Sequence, residues 1–433
     1  MARVGYATLR HRISLLWIPL VVVVQLLRCI PVLLRFWMSL LYFVRGGKYI
    51  ESVSFYNDKH AKTYLYSLGL VIQLWNVEHF RGGTYAQDLR HKLRSTAVPG
   101  TGIPLSVFLH FRLTALLFMF VALPIIAIVM AVLEDWKCSA LSHAFRENLL
   151  HPCDWCSLWI LNSSLAVHHY HLVAVPGYNL EDKWLFLKQA SQAGFTVVPW
   201  KRSNNLSISH SNESTSFYHR TRRMKGANAN GDWIVLKKMQ NSEFIRSFVP
   251  DDAPLVTFRI VTGWNSHVDD SIGVDEDDIS NIVPFSCVMR STSTESKSTE
   301  IIFRVDIHTG ELLEGTTNSH WHRIGWRNIG KQPLQTSFNL TRHPESHVKV
   351  TGRVIENMES ILEMVRKAHS KLLAHVPLAG WDVVLTDDGI KILEVNLSSN
   401  FHRASLDYQQ FFSFVDKHFT RLSLCHKITE AIE

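Results

Sequence analysis

The sequence predicts an α+β fold whose first third is helical and membrane-associated. Three observations lead there. Leu113 to Leu133 is a 21-residue run without a charged side chain. Downstream, apolar runs of strand length mix irregularly with one long stretch of helical period. Neither G-x-G-x-x-G nor G-x-x-x-x-G-K-S/T occurs, which removes a doubly wound nucleotide fold and a P-loop.

Composition sets the outer limits. Of 433 residues, 46% are hydrophobic and 19% charged, so most of the chain folds and a disordered polyelectrolyte is excluded. The net charge of +7 suits nucleotide phosphates, anionic lipid or nucleic acid, without choosing among them. The six cysteines are scattered and form no disulfide framework, which points to a reducing compartment.

Residues 1–150 read as a membrane-anchoring region with candidate helices at 13–34 and 113–133. At ~1.5 Å per residue the second is roughly 30 Å long, one hydrocarbon thickness. The first contains Arg28 and Arg35, seven apart and so on one helix side, placed to snorkel; a re-entrant hairpin is the alternative. Arg3, Arg10 and Arg12 favour a cytosolic N-terminus. One or two spans are expected, with the C-terminal domain returned to the cytosol.

Residues 155–433 read as one globular region. Tyr178 to Gly194 has a helical pattern, with Asn179 near its N-cap and Gly194 as its stop. FTVVPW, DWIVLKKM, LVTFRIVTG and IVPFSCVMR are strands, separated by a polar loop at 201–232 and an acidic run at 268–278. Ile301 to Gly315 is a hairpin that turns at His308-Thr309-Gly310. Ile355, Met358, Ile361, Leu362, Val365, Ala368 and Leu372 recur with the helical period and predict an amphipathic helix against a sheet. A hairpin over Trp381–Asn396 and a helix containing YQQFFSFVDKHF complete the chain. Cys153 and Cys156, with His168, His169 and His171 downstream, have imperfect spacing for zinc and read as packing and surface residues.

The last hairpin, GWDVVLTDDGIKILEVN, carries the chemistry. A three-residue turn at Asp387-Asp388-Gly389 pairs Thr386 with Ile390 and sets Asp382 directly across from Glu394, with Asn396 one pleat along on the same face. A two-residue turn at Asp388-Gly389 separates the two acids onto opposite faces. Two carboxylates and an amide oxygen around one point suit a hard divalent cation such as Mg²⁺. The alternative is that Asp382 caps a turn while Glu394 and Asn396 face solvent.

YNLEDKW at 178–184, VTFRIVTG at 256–263, VDIHTGEL at 305–312, HPESHVKVTGRVI at 343–355, Ala368-His369 and the final hairpin succeed one another in an order that resembles the ATP-grasp superfamily. More narrowly, they resemble the sugar-transfer-associated ATP-grasp family, near the alpha-L-glutamate ligase type. The resemblance implies an ATP-grasp-like C-terminal domain that uses ATP and Mg²⁺. It implies Asp382, Glu394 and Asn396 as the metal ligands, and Arg259 and Arg290 as the groups reaching the phosphates or the acyl-phosphate transition state. Lys237 and Lys238 stand at the hinge, where the family's nucleotide site would meet them. The implied reaction is carboxylate–amine ligation, with glycan-linked substrates and membrane lipid as partners and no nucleic acid. The family's glycine-rich loop is absent from 201–232, which keeps a degenerate, non-catalytic ATP-grasp module as the alternative.

Overall fold

The computed structural model describes residues 2–45, 56–94, 104–107, 109–134, 140–151, 158–172, 177–203, 217–218, 233–265, 279–294, 300–317, 340–398, 407–418 and 420. The acidic run at 268–278 and Cys153 and Cys156 lie outside them, as does most of the loop at 201–232.

The N-terminal region is helical: α1 (Ala2–Val44), α2 (Lys59–Gln73), α3 (Tyr85–Leu93), α4 (Arg112–Glu134), α5 (Leu141–Leu150) and α6 (Leu158–Leu172). The expected helix at 13–34 is longer at both ends, and Pro31 sits inside it. α4 covers the expected 113–133 helix and includes a π-turn at Phe118–Ala122. Two stretches, Val21–Val44 and Arg112–Glu134, are long and apolar enough to cross a membrane. Local signals place the short helices. The Asp58 side chain caps α2 by accepting from the His60 amide, and Thr84 with Gln87 forms a capping box at α3.

The C-terminal region is built on a six-stranded antiparallel sheet: β4 (Thr257–Trp264), β5 (Ile282–Thr292), β6 (Glu300–Val305), β7 (Leu312–Thr317), β8 (Leu378–Thr386) and β9 (Gly389–Asn396), in the order β7-β6-β5-β4-β8-β9. A small sheet orders β1 (Trp200–Ser203), β3 (Trp233–Lys237) and β2 (Phe217–Tyr218) as β1-β3-β2. Phe258, Ile260, Cys287, Met289, Phe303, Trp381 and Val383 alternate onto one face of the large sheet. They pack on Phe186, Leu187 and Ala190 of α7 (Lys183–Gln192) and on Ile361, Val365 and Ala368 of α8 (Met358–Leu372). That is the amphipathic face read from the sequence. Its His369 is fully buried. Nε2–H donates to the Val376 carbonyl at 2.9 Å, Nδ1 accepts from the Thr262 hydroxyl at 2.7 Å, and the Trp381 indole donates to the same hydroxyl at 2.8 Å. Burial pushes the imidazole down to about 4, so it is neutral in the core.

On the opposite face, Val261, Phe285 and Leu378 join a second apolar cluster with the N-terminal helices and with Phe411, Phe412, Phe414 and Val415 of α9 (residues 408–418). The first strand of the expected series, FTVVPW, is only a parallel bridge from Val197 to Ile392 before β1 begins. Pro199 withholds a ladder donor there. The helix expected from Tyr178 begins instead at Lys183. Tyr178–Glu181 is a 3₁₀ turn, and Asp182, not Asn179, caps α7 by accepting from the Leu185 amide at 2.9 Å.

Candidate functional site

The β8–β9 hairpin brings Asp382 opposite Glu394, and the residues achieve this by a route other than the expected turn. Thr386 registers with Gly389, not Ile390, around Asp387-Asp388. Gly389 stands at φ +95°, the left-handed region that favours glycine. Left alone, that register would pair Asp382 with Leu393 and turn Glu394 to the other face. A one-residue shift between Asp382 and Val383 restores the pairing of Asp382 with Glu394 and of Gly380 with Asn396. The bulge, not the turn length, sets the acids on one face. The turn acids are tied elsewhere: Arg246 donates to Asp387 at 2.7 Å, and Lys237 stands 3.9 Å from Asp388.

Two further strands supply the cations. Arg259 on β4 registers with Asp382 on one side and with Val288 on the other, so Arg290, two residues beyond Val288, shares their face. Arg259 grips Asp382 with both arms of its fork, Nε to Oδ1 at 2.5 Å and Nη2 to Oδ2 at 2.8 Å. Arg290 Nη2 lies 3.5 Å from Oδ2. Asp382 is 3% exposed. Its burial pushes the carboxyl up, but Arg259 and then Arg290 overcome this and hold it well below the usual carboxylate range. Glu394 is wetter. Its Oε2 is 3.4 Å from Lys183 Nζ, and the Asn396 amide donates to its Oε1 at 3.4 Å.

The placements divide the sequence-read residues. Asp382, Glu394, Asn396, Arg259 and Arg290 gather on one sheet face. Lys237 and Lys238 lie at the turn end of the hairpin. Asp388, beside Lys237, is six residues from Asp382, ~20 Å along an extended strand. Among the described residues no group of three or more His, Cys, Asp or Glu is placed to hold a metal. A cation here would therefore depend on the Asp382, Glu394 and Asn396 oxygens.

Those donors fit a hard ion by chemistry, and charge says how it must arrive. Arg259, Arg290 and Lys183 already outnumber Asp382 and Glu394. A bare divalent ion adds positive charge to a positive centre. An ion carried by a nucleotide triphosphate brings its own anions, and the arginines then face phosphate.

Five charged participants were missed by sequence reading. Lys183 pairs with Glu394. Glu181 accepts from the Leu397 amide at 2.7 Å and from the Ser398 amide at 3.3 Å, fixing the chain just past Asn396. Arg81, from the loop before α3, bonds both Glu181 oxygens and Ser398, and reaches Asp88 at 3.1 Å. Lys92 Nζ joins Asp88 at 2.9 Å and Ser398 Oγ at 2.7 Å. The signal for the first two was present: both belong to YNLEDKW, which reads as the start of a helix. Arg81 lay too far away in sequence to be connected.

The acids and arginines thus gather on one face of the six-stranded antiparallel sheet. Residues 285–410 match the model of the family described as sugar-transfer associated ATP-grasp. No curated protein matches the chain. Among solved structures, that of the ATP-grasp ligase PsnB complexed with minimal precursor is 11% identical, with a TM-score of 0.30 over 67% of this chain and 75% of that one, a distant likeness.

Proposed function

We propose that this protein is a membrane-attached, Mg-ATP-dependent ligase of the ATP-grasp type, which activates a carboxylate as an acyl phosphate for attack by an amine. The observation that carries the reading is the Arg259–Asp382–Arg290 centre beside Glu394 and Asn396 on one sheet face. Asp382, Glu394 and Asn396 would hold the Mg²⁺. When bound, that ion would neutralise charge on the β- and γ-phosphates of ATP. Arg259 and Arg290 supply fixed positive charge where negative charge develops in phosphoryl transfer, and they are held by the sheet before any ligand arrives. Lys183 orients Glu394. Lys237 and Lys238 would stand by the nucleotide's outer end. The helical region up to about residue 150 is the membrane-facing part, with the sheet domain on the cytosolic side, where ATP is. The family described for residues 285–410 makes a glycan-linked carboxylate or amine the substrate class to try first.

One observation favours a second reading, a degenerate module that holds a partner and no longer binds Mg-ATP. Both Asp382 oxygens are already satisfied by arginine. Titration of Mg-ATP into the full-length chain in detergent separates the two, beside Glu394→Ala. The ligase reading expects Mg²⁺-dependent binding, weakened a hundredfold or more in Glu394→Ala, a change at a partly exposed side chain on the edge strand. Failure of the folded wild-type chain to bind Mg-ATP would leave the second reading.

A further inference from the structure

Membrane attachment, part of the proposed function, leaves the geometry of attachment open. We propose that α1 and α4 do not cross the bilayer but lie in the plane of one anionic leaflet, seating a continuous apolar face in it.

The first argument is topological. α2 and α3 lie between α1 and α4 in the chain. If α4 crossed a membrane, α2 and α3 would be on the side opposite to everything after residue 140. Yet they are bonded to residues of the C-terminal region. Arg81 grips Glu181 and Ser398. Lys92 Nζ donates to Ser398 Oγ at 2.7 Å, and Lys59 Nζ donates to Ser413 Oγ at 3.1 Å. The His60 ring stacks on Phe412 with centroids 4.2 Å apart. Hydrogen-bond distances leave no room for a bilayer of about 30 Å.

The second argument is the sidedness of α1. Gln25, Cys29, Phe36, Leu40 and Phe43 are buried on one side, against α2, α4 and α5. The Gln25 amide oxygen accepts from the Ser142 hydroxyl at 2.9 Å, and the Trp37 indole donates to the Phe120 carbonyl at 2.9 Å. Leu27, Ile30, Leu34, Met38 and Leu41 are exposed on the other side. A crossing helix packed this way would carry α5 into the hydrocarbon with its exposed His143 and Arg146. α4 shows the same division. Leu113, Leu117, Val121, Ile125, Val129 and Leu133 form its exposed stripe, while Ala115, Met119, Ala127 and Ala131 face inward.

The third argument is charge. Arg28 and Arg35 are exposed and fall in the middle of Val21–Val44, the depth at which a crossing helix disfavours arginine most. On a helix lying flat they flank the apolar stripe, and their guanidinium groups reach lipid phosphates. That complementarity picks a leaflet rich in anionic lipid as the occupant of this face, over a second apolar protein surface.

The test uses the full-length chain in sealed membrane vesicles. Ala2→Cys, His91→Cys and Lys349→Cys each add one thiol. A membrane-impermeant maleimide-polyethylene glycol reports the extra mass shift beyond that of the unsubstituted chain. The proposal expects all three thiols to react on one side and none from the other. A thiol at position 2 or 91 on the side opposite to position 349 would overturn it and leave membrane attachment standing. In flotation with phosphatidylcholine–phosphatidylserine vesicles, Leu34→Glu with Ile125→Glu should lower the bound fraction tenfold or more while the circular dichroism stays that of the unsubstituted chain. Retention of that folded variant on vesicles also overturns the proposal. Recovery of the unsubstituted chain as a soluble dimer that never floats removes the attachment reading itself, a result the thiol pattern cannot mimic.

Discussion

Two arginine–carboxylate clusters sit at the two ends of a few residues of β9, and they do different work with similar parts. At Asp382, two guanidinium groups converge on one buried acid, and Glu394 nearby meets Lys183 and Asn396 at 3.4 Å and hydrogen-bonds with Asp382 itself. Past Asn396, Arg81 and Lys92 meet Asp88 and Glu181, charge for charge, and Glu181 also binds two backbone amides. The second cluster is balanced and ties three chain segments together. The first has positive charge to spare, three cations around two acids. Excess charge marks a centre that receives something; balance marks a clamp.

The largest effect expected from this difference is at Asp382. Asp382→Ala leaves Arg259 buried without its partner, and removing one member of such a pair costs about 3–5 kcal/mol. Denaturant unfolding of the full chain measures it. A loss under ~1 kcal/mol would mean that water reaches Arg259 and that the centre is not closed.

Next comes acid. The folded His369 imidazole lies at about 4, below the ordinary 6.5, because burial disfavours its charged form. His169, bonded to the Tyr178 hydroxyl at 2.8 Å, is pushed by burial down to about 3. The unfolded chain therefore binds more protons than the folded chain between about pH 6.5 and 4. Stability is full above 6.5 and falls as the pH drops through that window, with His369 contributing on the order of 3 kcal/mol. Asp382 stays ionised throughout, since the arginines depress it; its own contribution begins to fall as the pH enters the ordinary carboxylate range near 3.8 and is gone below about 2. His369→Gln should flatten the slope between pH 6.5 and 4. An unchanged slope would assign it to other groups.

The clamp comes third. Arg81→Ala leaves Glu181 without its main counter-charge in partly wet surroundings, while Asp88 keeps Lys92, and a loss of about 1–3 kcal/mol is expected. Mg-ATP affinity should fall several-fold, because Leu397 and Ser398 loosen next to Asn396. A loss as large as that of Glu394→Ala would erase the distinction between clamp and receiving centre.

The fold was legible wherever periodicity carried it. The helix over α8, the strands β4 to β9 and the apolar run of α4 all rest on side-chain patterns that are local in sequence. The hairpin acids were legible as a pair for a reason that proved incomplete. The bulge that sets Glu394 opposite Asp382 leaves no mark in LEVN distinguishable from a regular strand. The clamp was not legible, because Arg81 and Glu181 are 100 residues apart and meet only after two layers have packed. Asp182 as the true cap of α7 was misread for a different reason: Asn179 and Asp182 are both good caps, and only the 3₁₀ turn decides between them.

The smallest effect tests the charge argument most directly. Lys183 is about as exposed as Glu394, and a pair of this kind contributes about 0–1 kcal/mol, so Lys183→Ala should unfold almost as the wild type does. Its electrostatic effect has a definite sign. Removing one of three cations around two acids makes the centre less positive, so Mg²⁺ alone should bind a few-fold more tightly. Mg-ATP carries net negative charge and loses a counter-charge, so it should bind a few-fold less tightly. The two titrations move in opposite directions only if Lys183, Arg259 and Arg290 together set the sign of the site. A parallel change in both would show that Lys183 acts by orienting Glu394, and charge balance would then cease to be what separates this centre from the clamp beside it.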